Sequence, residues 1–104
     1  MGGGIANYFG GTTDITSCLL TLNDAQGGAG DPGGDGLGGG IYNDATSDLS
    51  LRTSTITLNR ANGGSSNSQG IGGGVYNLGT VDIDTATLVF ANDADEHDDC
   101  FGCP

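Results

Sequence analysis

The string Gly-Gly-Gly-(Ile/Val)-x-Asn occurs three times, at 2–7, 38–43 and 72–77, with starts 36 and 34 residues apart. Repetition at a period of roughly 20–50 residues marks solenoids and propellers, in which each unit buries its apolar face against the next. A second beat holds the register. Asn23-Asp24-Ala25, Asn59-Arg60-Ala61 and Asn92-Asp93-Ala94 follow the first asparagine by 16, 16 and 15 residues. Glycine makes up 22 of the 104 residues and only 35% are hydrophobic, thin for a single compact core. Stacked repeats need fewer apolar residues, because neighbours supply the rest of each interior.

The middle repeat shows the local pattern. Ile41-Tyr42-Asn43 is a short strand entered through glycines, Asp48-Leu49-Ser50-Leu51-Arg52 alternates with period two, and Thr55-Ile56-Thr57-Leu58 alternates again. No 3.6-residue periodicity appears. These segments predict an all-β chain, a three-coil parallel β-helix (β-solenoid) with three short strands per coil and coils at 2–37, 38–71 and 72–104. Stacking them predicts inward columns Ile5/Ile41/Val75, Ile15/Leu51/Ile83, Leu20/Ile56/Leu88 and Leu22/Leu58/Phe90. Asn7, Asn43 and Asn77 are expected to stack as a ladder, each amide bonding to the coils on either side. Cys18 falls at a small position beside Ser54 and Ala86, where alternation points its thiol inward.

The Gly38-Gly39-Gly40-Ile41-Tyr42-Asn43 and Ser54-Thr55-Ile56-Thr57-Leu58-Asn59 segments, with their counterparts in the other repeats, resemble right-handed parallel β-helix proteins. The likeness is to the repeats of chlamydial polymorphic outer-membrane proteins and related bacterial surface adhesins. It implies a right-handed solenoid at a cell surface. The absence of Lys and a surface of Asn, Thr, Asp and Gly also suit an extracellular location.

Net charge is −11, with Arg52 and Arg60 as the cations and no Lys. Nucleic-acid binding needs a basic face, which this composition lacks. No apolar run reaches membrane-spanning length, so no membrane insertion is expected. One His, two Arg and no Lys leave little for acid–base work, so the chain is read as no enzyme. Carbohydrate-active and ice-binding β-helices are weak further readings. The densest acidic run, Asp93, Asp95, Glu96, Asp98 and Asp99, is either a solvated loop or a weak calcium site. No cofactor is otherwise required. Cys100 and Cys103 could close a disulfide, within one chain or between chains.

Assembly is the functional expectation. A stack of three coils has two open faces with unpaired strand edges. Adding about 34 residues to Gly72 places the next triple glycine near 106, where a second copy set after Pro104 would start its own. This predicts a subunit that stacks head to tail with itself into an extracellular filament. The alternative is a piece of a longer surface β-helix adhesin. Loops 27–37 and 63–70 would carry any surface or glycan contacts.

Overall fold

Strands in this chain pair with their counterparts one repeat away, not with their neighbours in sequence. The computed structural model describes residues 2–28, 33–65 and 68–104; residues 29–32 and 66–67 of the two long loops lie outside the described residues. Among the described residues there are fourteen short strands and no helix. The first repeat holds β1 (Ile5–Asn7), β2 (Thr12–Thr16), β3 (Leu19–Thr21), β4 (Asp24–Gln26) and β5 (Gly36–Leu37). The second holds β6 (Ile41–Asn43), β7 (Asp48–Arg52), β8 (Thr55–Thr57), β9 (Arg60–Asn62) and β10 (Gly70–Ile71). The third holds β11 (Val75–Asn77), β12 (Thr80–Ile83) and β13 (Leu88–Phe90), and β14 (Cys100–Phe101) follows.

These strands form five small sheets, ordered β1-β6-β11-β14, β2-β7-β12, β3-β8-β13, β4-β9 and β5-β10. Every pairing is parallel. The triple glycines let the layers approach. A Cβ on Gly40 would stand 2.7 Å from the carbonyl oxygen of Gly74 and 3.2 Å from a methyl of Ile56.

The core sits between the sheets. Ile41, Leu51 and Ile56, one each from β6, β7 and β8, have no exposed surface, and Leu49 has almost none. Ile5, Ile41 and Val75 share one inward column; Ile15, Leu51 and Ile83 share another. Burial falls off toward both end layers, where Ile5, Leu20, Val81, Ile83 and Val89 are only partly covered.

Three sequence expectations fail here. Each of the first two repeats carries five short strands, not three. The extra pairs β4/β9 and β5/β10 lie outside the three strand segments read in each repeat, and only the small Ala25 and Ala61 mark the inward face of the former. Second, Leu22, Leu88 and Phe90 do not line the interior. Leu22 and Leu58 occupy left-handed corners (φ 59° and 57°) just past β3 and β8, which turns their side chains outward. They are 77% and 56% exposed, and Leu88 and Phe90 are 55% and 48% exposed.

The slip in the third repeat has a local cause. Thr80 lies three residues after Asn77, whereas its partner Asp48 lies five after Asn43. Leu88 then lies five residues after Ile83, whereas its partner Thr55 lies four after Leu51. The corner after β12 is thus one residue longer, so Val89 takes the place beside Ile56 and Leu20 that was assigned to Leu88. Third, Cys18 is exposed. Its column partners Ser54, between two layers, and Thr87 are buried, whereas Cys18 lies exposed in the outermost layer of the first-repeat face.

Candidate assembly interface

Side-chain hydrogen bonds cross the layers in two asparagine columns that share one direction. In the first, Asn7 Nδ2 donates to Asn43 Oδ1 at 2.8 Å, and Asn43 Nδ2 donates to Asn77 Oδ1 at 2.7 Å. In the second, both the backbone N–H and Nδ2 of Asn23 donate to Asn59 Oδ1 at 3.0 Å, and those of Asn59 donate to Asn92 Oδ1 at 3.0 Å. Asn43 and Asn59 are fully enclosed. A buried amide must satisfy both its oxygen and its nitrogen, so stacked asparagines lock each layer to the next.

A one-way ladder makes the two end faces chemically different. On the first-repeat face, no side chain or backbone group among the described residues donates to Asn7 Oδ1 or Asn23 Oδ1. On the opposite face the leading groups are donors. Asn77 Nδ2 is taken up by the carbonyl of Gly102 at 2.9 Å. The backbone N–H and Nδ2 of Asn92 are taken up by Asp99 Oδ1 at 3.0 and 3.1 Å. The outer edges of β1, β2 and β3 bound one face, and those of β14, β12 and β13 bound the other.

An aromatic ladder accompanies the amides and was not singled out from sequence. Tyr42 and Tyr76 stack at 5.4 Å between ring centroids, Tyr76 and Phe101 at 4.8 Å, and Tyr8 leans on Tyr42 at 5.1 Å. Burial, followed by the neighbouring Tyr8 and Tyr76, pushes the Tyr42 hydroxyl above its ordinary pKa. The signal was present as the tyrosine after Ile41 and Val75. Phe9, beside Tyr8 on the first-repeat face, is 95% exposed and left-handed.

Asp44 ties that end of the molecule together. Its carboxylate accepts from Ser47 Oγ at 2.6 Å, from the Phe9 N–H one layer away at 2.9 Å, and from Thr46. The Ser47 bond first, then the Phe9 N–H, hold its pKa at about 2 against a reference of 3.8. Asp84 is lowered in the same way, chiefly by the Thr87 hydroxyl and next by the Thr53 N–H. A carboxyl whose folded pKa lies below its unfolded value stabilises the fold above the unfolded value, and that contribution is lost as pH falls toward the folded one. Thermal unfolding is therefore expected to shift to lower temperature as pH drops from 3.8 toward about 2. Asp44→Asn should flatten this dependence, and an unchanged slope in the variant would show that other groups govern it.

The acidic run does not form a cluster. Asp93 lies 3.8 Å from Arg60, Asp95 accepts the Gly70 N–H, Glu96 accepts from the Gln69 side chain, and Asp98 accepts the Ala94 N–H. Asp99 is occupied by Asn92. Among the described residues no three acidic, His or Cys side chains converge on one point, so the structure does not bring the proposed calcium ligands together. Cys100 and Cys103 are joined in a disulfide, and both pack against the core. Arg52 pairs with Asp82 at 2.5 Å on the surface, a contact worth about 0–1 kcal/mol.

The expected phase of the next layer also changes. Cys100 pairs with Val75 after 25 residues, so the chain lays its next strand well before position 106. No family model, curated protein or solved structure matches this chain.

Proposed function

We propose that this chain is a structural subunit that stacks end to end with copies of itself, as a three-coil, right-handed parallel β-helix, into an extracellular filament. The one-way asparagine columns carry the reading. One face offers the unfilled oxygens of Asn7 and Asn23, and the donors they would meet, Asn77 and Asn92, lead the other face. The apolar columns match as well. Ile5, Ile15 and Leu20 of a second copy would continue the columns of Val75, Ile83 and Val89, and the contact would remove the residual exposure of Ile83 and Val89. Two different faces of one molecule in contact make a heterologous interface, which propagates as a fibre unless its rotation closes a ring.

A second reading is a module of a longer cell-surface β-helix, favoured by β14, which continues the first sheet within one chain. The Cys100–Cys103 bond suits an oxidising, extracellular setting in either case. The purified chain is expected to form rods in negative stain when its charge of −11 is screened by about 0.5 M salt. Their fibre diffraction should show an axial reflection near 4.8 Å. Only separate particles at high concentration would reject the filament and leave the module.

A further inference from the structure

We propose that residues 98–104 are an internal substitute for the first strand of a neighbouring copy, and that stacking requires their release. The inference rests on the end-to-end reading above and adds how that contact is controlled.

The backbone equivalence is close. Gly40 O accepts the N–H groups of Gly4 and Ile5 at 3.1 and 3.0 Å. Gly74 O accepts those of Gly40 and Ile41 at 3.0 and 2.9 Å. In the next layer Asp99 O accepts those of Gly74 and Val75 at 3.1 and 2.9 Å. Asp99 thus stands where Gly4 of an incoming copy would stand, and Cys100, Phe101 and Gly102 stand for Ile5, Ala6 and Asn7. The same residue supplies a second imitation. Its carboxylate takes the bonds from Asn92 that Asn23 Oδ1 of a neighbour would take. A carboxylate only accepts, so the column stops there instead of passing on a donor.

The substitute is partial, and that makes it displaceable. It covers β11, while the outer edges of β12 and β13 pair with no strand among the described residues. With β14 in place, an incoming β1 sits one strand spacing further out, about 4.8 Å, and its β2 and β3 cannot reach β12 and β13. With β14 released, all three strands seat together. Phe101 on Tyr76 and the disulfide-closed turn packed on the core hold the segment down.

The test uses the full-length chain and its double variant Asp99→Gly, Phe101→Ala, which removes the carboxylate and the ring but keeps the strand sequence otherwise intact. Sedimentation velocity over a concentration series should show the variant assembling at a threshold roughly tenfold lower. Hydrogen exchange in the assembled wild type should be faster at the Phe101 amide, which faces β11, than in the monomer, with Val75 still protected. Equal thresholds, or retained protection of the Phe101 amide within rods, would overturn the inference while leaving stacking itself in place. Two folded chains that both stay monomeric would remove the stacking reading and this inference with it. If the variant loses its β-sheet circular dichroism, the exchange measurement on wild type decides alone.

Discussion

Ile41→Ala is expected to lower the free energy of unfolding by about 2–5 kcal/mol, against about 1–2 kcal/mol for Ile5→Ala in the same column. Ile41 has no exposed surface and is covered by Ile5 on one side and Val75 on the other. Truncating it opens a void between two fixed layers whose backbones are tied by the ladder and cannot close up. Ile5 lies in an outer layer and is already partly solvated, so its loss removes less buried area and leaves no closed cavity. For a chain of this size, whose total stability is on the order of 5–15 kcal/mol, the inner substitution takes a large share. Urea unfolding midpoints of the two variants, measured under conditions that keep the chain monomeric, make the comparison. Equal losses at the two sites would mean that the layers do not grade in burial as described.

The repeat offset was the most legible property, because a residue and its counterpart about 34 positions later must share an environment when strands pair in parallel. Gly-Gly-Gly-(Ile/Val)-x-Asn could be read directly, since glycine, a β-branched residue and a buried amide each have few substitutes at such a site. What stayed hidden depended on counting across corners. Leu22 and Leu58 look like the next inward residues after Leu20 and Ile56, yet a left-handed residue breaks the period of two. No residue type announces that turn, since leucine rarely adopts the conformation. Leu88 and Phe90 were misplaced because one added residue between β12 and β13 shifts the inward position to Val89. Asp98–Phe101 was hidden for another reason. The acids and cysteines there share no letters with Gly-Gly-Gly-Ile, and the equivalence lies in backbone carbonyls that any residue possesses.

Replacing Asn43 by Ala should cost roughly 3 kcal/mol or more, a loss of the same order as that from a core isoleucine, although no apolar contact is removed. Its Nδ2 serves Asn77 Oδ1 and the carbonyls of Ser47 and Thr80, at 2.7, 3.1 and 3.1 Å, and its Oδ1 receives Asn7 Nδ2. Alanine leaves these groups facing a closed, dry position, and each buried orphan costs about 1–3 kcal/mol before any relaxation or water entry. Asn7→Ala should cost less, because its oxygen receives no donor among the described residues and the residue lies in an outer layer, slightly exposed where Asn43 is fully buried. Combining the two separates a ladder from isolated hydrogen bonds. Once Asn43 is gone, Asn7 has already lost its asparagine partner in the next layer but keeps the Gly11 carbonyl in its own layer and the Asp48 carbonyl in the next. The double variant should therefore be less destabilised than the sum of the singles, by an interaction energy of about 0.5–3 kcal/mol. Strict additivity would show that Asn7 and Asn43 stabilise their own turns independently. The directional column that distinguishes the two end faces would then have no energetic basis.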